Sequence, residues 1–160
     1  MNICTKLLFI KLNRVVKYWC VLALILMYAS CAPDKQVYQS DCDEQQTFKK
    51  VTFPNLLDSI TYYNQQYVEV CGRYQEGKDL SALYSDSTLV NINTNKAMWV
   101  NFSQDCELYL KGTQKGFFDY NNGDFNKKVR IRGKVDVHNQ GHLKQYKGCI
   151  DRVSFIELLN

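Results

Sequence analysis

Alternation of apolar and polar residues is the dominant pattern after residue 66, and it predicts β-strands. Residues 128–135 show it most clearly, because every second residue is basic and the residues between are Val, Ile or Gly. Residues 67–74 alternate in the same way. A period of two places successive side chains on opposite faces of a sheet. Together with shorter segments, the pattern predicts five strands, the second of them interrupted: 67–74, 81–92, 97–102, 128–135 and 149–159.

One short helix is predicted before the first strand. Pro54 suits a first helical turn, where its missing N–H would have no partner in any case. Apolar residues follow at helical spacing and form one stripe, which we interpret as core packing: Leu56, Leu57, Ile60 and Tyr63. The helix should end near Asn64. Residues 103–127 lack periodicity, but their aromatic residues indicate that this long connection packs against the domain.

These elements suit a small Greek-key barrel. Gly72 within the first strand indicates a bend or bulge, and a long connection separates the third and fourth strands. The OB-fold is a five-stranded barrel of this plan. We therefore predict a mainly β protein, a five-stranded OB-like Greek-key barrel with one short N-terminal helix, formed by residues 53–160. A β-sandwich is the alternative, although five strands are few for that architecture.

Residues 1–30 have the composition of an export signal. Four basic residues are spread over residues 6–17, and the uncharged stretch 18–30 follows them. A spanning helix needs about 20 apolar residues, so this stretch is short for a transmembrane segment. A basic region, a short apolar region and small residues at the end are typical of a secretory signal peptide. Simple secretion and an uncleaved N-terminal anchor are the alternatives to the lipoprotein signal described next.

Residues 27–31, Met-Tyr-Ala-Ser-Cys, resemble a bacterial lipobox. The resemblance implies that residues 1–30 are removed and that Cys31 carries a thioether-linked diacylglyceryl group and an acylated amine, with fatty acids such as palmitate. Each buried methylene contributes about 0.8 kcal/mol, so more than one chain anchors a protein stably. We expect the protein in the cell envelope, lipid-anchored to a bacterial membrane on its periplasmic or cell-surface side. The polar residues 31–52 are predicted to be a flexible tether.

Four of the seven cysteines would remain available in the mature chain. Cys4 and Cys20 leave with the signal peptide and Cys31 carries the lipid. An even number in an oxidising compartment indicates up to two disulfides, with three connectivities. We favour Cys71 with Cys149, on strands that could be neighbours, and Cys42 with Cys106. No two of these cysteines are spaced as in a zinc knuckle, and no C-x-x-C redox motif occurs.

The charge distribution bears on the partners of the protein. The net charge of +4 resides in residues 1–30, because the remaining chain has equal numbers of basic and acidic residues. Nucleic acid is therefore an unexpected partner. The basic stripe of the predicted fourth strand is either a solvated face or a surface that recognises lipid headgroups, an acidic glycan or an envelope protein. With aromatic residues suited to stacking, it gives a candidate ligand face: Tyr84, Trp99, Arg130, Arg132 and Tyr146.

Several segments resemble small, uncharacterised OB-fold-like lipoproteins of Gram-negative bacteria. These are residues 67–74 (YVEVCGRY), 129–133 (VRIRG) and 141–150 (GHLKQYKGCI). The likeness covers about residues 54–158. The family carries no established activity, so the resemblance implies the fold and the location alone. Cys71 and Cys149 depart from the family, which adds support to their pairing.

The sequence contains no recognisable catalytic constellation. It has no nucleophile elbow, no Gly-rich phosphate loop and no evident cysteine–histidine pair. His138 and His142 flank turn residues, so we interpret them as solvated side chains and predict neither a metal nor a cofactor. We predict a lipid-anchored binding or scaffold module of the cell envelope that is not an enzyme. The alternatives are an envelope enzyme or enzyme accessory protein with an unrecognised active site, and a purely structural spacer.

Overall fold

The computed structural model describes residues 35–85, 93–120 and 125–159, and this part of the chain is mainly β. Two short helices precede the longest strands, α1 (Phe53–Asp58) and α2 (Ile60–Tyr63). Short 3-10 turns lie in the connections. The strands are β1 (Val37–Gln39), β2 (Lys49–Val51), β3 (Tyr67–Gly77), β4 (Leu80–Tyr84), β5 (Ala97–Val100), β6 (Tyr109–Leu110), β7 (Phe125–Asp136) and β8 (Cys149–Leu159).

Five of these strands form a closed ring. β3 pairs with β4, β4 with β5, β5 with β8 and β8 with β7, and β7 returns to pair with β3. Every pairing in the ring is antiparallel except that of β5 with β8, which is parallel. The β3–β7 ladder is the longest, with register from Tyr67↔Lys134 to Glu76↔Phe125. A closed ring leaves these five strands without a long open edge.

The prediction that the chain is mainly β with five principal strands is confirmed. Four of the predicted strands lie within described residues and correspond to β3, β5, β7 and β8. The second corresponds to β4 in its first half, whereas the predicted continuation over 88–92 lies outside the described residues. The predicted helix is divided at Ser59 into α1 and α2, and the Thr52 side chain caps α1 by accepting a hydrogen bond from the Asn55 N–H.

The core lies inside the ring and is built from the apolar faces that the alternation predicted. On β3 the inward residues include Val68, Val70 and Tyr74, which are at most 1% exposed. β7 contributes alternate residues in the same way, and Leu56 of α1 packs into the same core. Gly72 is required for close approach, because a Cβ there would lie 2.9 Å from the Tyr84 carbonyl oxygen on β4. The other buried members of the core are Tyr38, Phe53, Ile60, Leu83, Met98, Val100, Leu108, Phe117, Phe125, Val129, Ile131, Val135, Ile150, Val153 and Ile156.

The predicted flexible tether over residues 31–52 is wrong for its described part, residues 35–52. β1 pairs with β8 and β6, and β2 adds to β3 in parallel. Tyr38 is 2% exposed and packs edge-on against Phe117, with ring centroids 5.1 Å apart. Strands of three residues are too short to show a period of two, so their polar composition misled the prediction. Residues 31–34, including the predicted lipidation site Cys31, lie outside the described residues, as does the predicted signal peptide.

One of the two favoured disulfides is present and the other is wrong. Cys42 and Cys106 are bonded, which confirms that pairing. Cys71 and Cys149 are both free, the first exposed and the second buried. β7 lies between β3, which carries Cys71, and β8, which carries Cys149. Cys71 is paired with Arg130 of β7, whereas Cys149 is paired with Asp136 of β7. Six residues of β7, or about 20 Å, separate those two positions, which is beyond the reach of a disulfide.

A buried ion pair directly after Cys42 in the sequence also fixes the N-terminal segment. Asp43, beside Cys42, is 6% exposed and accepts hydrogen bonds from Arg152 Nη2 at 3.2 Å and from the Tyr67 hydroxyl at 3.4 Å. Arg152 has a left-handed backbone conformation (φ 48°) in β8, close to the register shift between β7 and β8. Residues 37–43 are therefore held on β8 by hydrogen bonds and an ion pair, and on the segment after β5 by a covalent bond.

Replacing Cys42 and Cys106 together by Ser should lower the free energy of unfolding by about 2–4 kcal/mol, because the disulfide closes a long loop and restricts the unfolded chain. Urea denaturation of the oxidised protein and the double variant measures this difference. Cys71→Ser is the matched control and should leave stability and its sensitivity to reductant unchanged. An equal loss in the control would contradict a stabilising role specific to the Cys42–Cys106 bond.

Candidate functional site

The structure divides the predicted ligand face into two groups on different sides of the ring. Tyr84 of β4, Trp99 of β5 and Tyr146 of the β7–β8 connection come together in one apolar cluster. Arg130 and Arg132 lie on β7. Because β7 pairs with β3 and β8, it lies across the ring from β4 and β5. The five residues therefore do not form one surface.

The aromatic group is a supported platform. The rings of Trp99 and Tyr146 have centroids 5.2 Å apart. Tyr84 and Tyr146 are almost fully buried and Trp99 is partly exposed, so the tyrosines support the indole from behind. Burial raises the pKa of Tyr146. Gly141 (φ 65°) lies directly against Trp99, since a Cβ there would be 2.5 Å from the indole Cγ. The Trp99 ring of β5 is thus fixed by Gly141 and Tyr146 of the β7–β8 connection.

Trp99 borders an open cleft of about 600 Å³. Its walls come from the β3–β4 turn, from β5 and the residues that follow it, and from the β7–β8 connection. We call it the β5 cleft. Its lining is formed by Tyr74, Glu76, Gly77, Asp79, Leu80, Ser81, Trp99, Val100, Asn101, Phe102, Phe118, Asn139, Gly141 and His142.

The chemistry of the β5 cleft combines aromatic rings with carboxylates and amides. Trp99 and Phe118 supply exposed ring surface, and Phe118 is 49% exposed. Glu76 and Asp79 bring two carboxylates to the same lining, together with the amide of Asn139. The only side chain of the lining that could carry positive charge is His142. Such a lining suits a ligand with apolar faces and hydroxyl or amine donors, and it disfavours a polyanion.

Hydrogen bonds within the chain hold the floor of this cleft. The Ser81 hydroxyl donates to the Val100 carbonyl at 2.7 Å and lies 3.1 Å from the Tyr74 hydroxyl. Asn101 Nδ2 donates to Asp151 Oδ1 at 2.9 Å, which ties the end of β5 to β8. Burial raises the pKa of Tyr74, so its hydroxyl stays neutral and can donate a hydrogen bond to the Ser81 oxygen. The floor is therefore preorganised.

Phe118 is a functional candidate that the sequence did not single out. It packs edge-on against Phe102 with ring centroids 4.9 Å apart, and Phe117 beneath it is 1% exposed. The prediction that residues 103–127 pack aromatic side chains against the domain is confirmed for Phe117. The signal for Phe118 was weak, because two adjacent phenylalanines outside a periodic element do not show which one is buried.

The two arginines of the predicted face are engaged in ion pairs. Arg132 donates to Glu69 from Nε at 2.7 Å and lies with its guanidinium 2.6 Å from the same carboxylate. Its guanidinium carbon also lies 4.4 Å from the centroid of the Phe155 ring. Arg130 Nη1 donates to Glu157 Oε2 at 2.5 Å. Both carboxylates are more than nine-tenths buried, so these arginines compensate buried charge and are not simply solvated.

Arg130 also contacts the free thiol of β3. A hydrogen bond to the Cys71 side chain, together with the negative charges of Glu157 and Glu69, raises the pKa of Arg130. The guanidinium is consequently a permanent cation between two acidic residues. Cys71 is exposed on the same outer surface and lines a depression of about 470 Å³ with Lys50, Lys128 and Arg130.

The predicted solvated histidines are both exposed. His138 follows β7, and its N–H donates to Asp136, whereas His142 lies at the rim of the β5 cleft. Among the described residues, one group has a spacing that could hold a metal ion, formed by Cys42, Asp43 and Cys106. Both sulfurs of that group are consumed by the disulfide, so it offers a single carboxylate.

No known protein family, curated protein or solved structure matches the chain. Within the described ranges, no helix is long and apolar enough to cross a membrane. The chemistry of the β5 cleft and of the outer surface of β7 is what indicates the function.

Replacing Arg132 by Met should lower the free energy of unfolding by about 1–2 kcal/mol, because Glu69 would lose its main partner while it remains buried. The effect should be smaller than for a fully buried pair, since Arg132 is partly exposed. Lys134→Met, at the next outward position of β7, is the matched control and should change stability by less than about 0.5 kcal/mol. Equal effects of the two variants in urea denaturation would contradict this account of Glu69.

Stability should decline above about pH 9, because burial raises the pKa of the Cys149 thiol and of Tyr74 in the folded protein. Their contribution is complete below the pKa values of the unfolded chain and is lost as pH rises toward the folded values. Tyr74→Phe should weaken this decline, as measured by urea denaturation at neutral and alkaline pH. Tyr62→Phe, at an exposed tyrosine, should not weaken it, and a Tyr74→Phe profile identical to that of the unaltered protein would contradict the assignment.

Proposed function

We propose that the protein is a lipid-anchored binding module of the bacterial cell envelope, built on an OB-like Greek-key barrel, with its ligand in the β5 cleft. The observation that carries this proposal is the partly exposed Trp99 ring, held between Gly141 and Tyr146 at the edge of an open cleft. A rigid aromatic face beside convergent polar groups is a common arrangement for ligand binding.

The strand order supports the OB-like part of the proposal. β3, β4 and β5 are consecutive antiparallel neighbours, and the fourth ring strand, β7, returns after a long connection to lie beside β3. That order, fourth strand next to first, is the Greek-key arrangement. OB-folds bind ligands on the face of their second and third strands and with the loops after the first and fourth. The corresponding parts here are β4, β5, the β3–β4 turn and the β7–β8 connection, which surround the β5 cleft.

The location in the envelope is supported by two independent features. Residues 1–31 combine a basic region, a short apolar region and the lipobox-like Met-Tyr-Ala-Ser-Cys. The Cys42–Cys106 disulfide is of the kind that forms and persists in oxidising compartments. In the proposal, Cys31 carries the lipid and the domain works outside the cytoplasm.

For the ligand, we propose an uncharged saccharide. Aromatic rings pack against the apolar faces of sugars, and the carboxylates of Glu76 and Asp79 with the amide of Asn139 suit sugar hydroxyls. OB-folds are known to bind oligosaccharides as well as oligonucleotides. The two carboxylates disfavour nucleic acid and acidic glycans in this cleft. Those anionic ligands would need the cationic groups of β7, which lie across the ring.

Titration with short neutral oligosaccharides tests the proposal. In the mature lipidated chain Trp99 is the only tryptophan, since Trp19 leaves with the signal peptide. Binding in the β5 cleft should therefore change the intrinsic tryptophan emission. Chitotetraose and maltotetraose serve as neutral probes, with oligogalacturonate and single-stranded DNA as anionic comparisons.

Trp99→Ala should weaken saccharide binding by calorimetry about tenfold or more, equivalent to about 1.4 kcal/mol. Asn139→Ala should weaken it less. Tyr62→Ala, at an exposed tyrosine of α2 distant in sequence from the cleft, is the matched control and should bind as the unaltered protein does. Unchanged saccharide affinity in a Trp99→Ala variant that is still folded would contradict the assignment of the β5 cleft as the ligand site.

A further inference from the structure

The described chain begins beside the outer surface of β7. The Leu158 N–H donates to the Gln36 carbonyl at 2.9 Å, and Lys35 Nζ lies 3.5 Å from the Glu157 carboxylate. Three residues separate Lys35 from Cys31. Because an extended chain spans at most about 3.5 Å per residue, the four residue steps from Lys35 to Cys31 can reach at most about 14 Å. A lipid on Cys31 would therefore hold this part of the domain close to the membrane surface.

A continuous group of cations lies at the same place. Lys35 contacts Glu157, and Glu157 binds Arg130. Arg130 and Lys50 both approach the Oε1 atom of Glu69, each at 3.9 Å. Lys128 is exposed on β7 and borders the same depression as Lys50 and Arg130. We call the four cations the basic surface: Lys35, Lys50, Lys128 and Arg130.

The basic surface presents positive charge to solvent because its cations are far more exposed than the carboxylates they contact. The side chains of Lys35 and Lys50 are 77% and 84% exposed, whereas those of Glu157 and Glu69 are 7% and 8% exposed. The carboxylates thus lie beneath the amines and are covered by them. An approaching partner meets ammonium and guanidinium groups first, although the chain without residues 1–30 has no net charge.

We propose that the basic surface docks on the anionic phospholipid headgroups of the membrane that holds the anchor. This inference rests on the lipid anchor of the proposed function. The short reach from Cys31 supplies proximity, and the exposed amines supply charge complementarity to lipid phosphates within a Debye length of about 8 Å.

Docking in this orientation has a consequence for the β5 cleft. β7 neighbours β3 and β8 in the ring, and β4 and β5 are the two ring strands with which it does not pair. With β7 toward the membrane, the β5 cleft opens away from it. The domain would then present its ligand site to the surrounding envelope and not to its own bilayer.

Lysine acetylation of the full lipidated protein in vesicles tests this orientation. The vesicles contain phosphatidylcholine alone or phosphatidylcholine with phosphatidylglycerol. Peptide mass spectrometry measures the extent of acetylation of each lysine. Lys35, Lys50 and Lys128 should be labelled roughly threefold less in the anionic vesicles, and high salt should remove the difference. Lys78, Lys96 and Lys144, on the β4–β5 side, should be labelled equally in both.

Charge reversal provides the matched variants. Lys50→Glu with Lys128→Glu should abolish the protection of Lys35, whereas Lys78→Glu with Lys144→Glu should leave it intact. Equal labelling of both lysine groups in anionic vesicles would overturn the docking and leave the proposed binding module standing. Protection that needs an added envelope protein and is absent from pure anionic vesicles would also overturn it. A mature chain without acyl groups on Cys31, read from the same spectra, would overturn the docking and the proposed lipid anchor together.

Discussion

Pairing of β7 with both β3 and β8 is the constraint on which the rest of the structure depends. This pairing closes the ring. The alternating sequence of β7 places one of its faces in the core and the other toward solvent. Its apolar residues pack inside, and its arginines reach outward to neutralise Glu69 and Glu157 on the flanking strands. Because β7 does not pair with β4 or β5 in the ring, the same pairing separates the cationic outer surface from the β5 cleft.

Long elements with a clear period were predictable, whereas short elements that depend on a distant partner were not. The alternation in residues 128–135 is sufficient to define β7, because seven or eight residues carry the pattern. β1, β2 and β6 have three residues or fewer. Their strand conformation comes from pairing of β1 with β8, of β2 with β3 and of β6 with β1. Asp43 illustrates the difficulty, since an acidic residue among polar neighbours becomes buried once Arg152 and Tyr67 are placed beside it.

The candidate site was predictable by residue type and not by grouping. Aromatic residues and arginines were both identified, yet the strand order and the path of the β7–β8 connection decide that Trp99 and Tyr146 meet while Arg130 lies elsewhere. The incorrect pairing of Cys71 with Cys149 has the same cause, because the strand between them is not evident from local sequence. Phe118 was missed since its exposure depends on how a connection without periodicity folds back over Phe102.

The Cys42–Cys106 bond also sets the path of mechanical load through the molecule. Tension applied at Lys35 would first strip β1 from β8, one hydrogen bond after another, because the pull is directed across that short antiparallel ladder. The covalent bond stops the stripping three residues beyond Gln39 and passes the force to Cys106, on the segment that follows β5. A force applied to the domain at its point of attachment would thus detach only the few residues before Cys42, and the five-stranded ring would then bear the force.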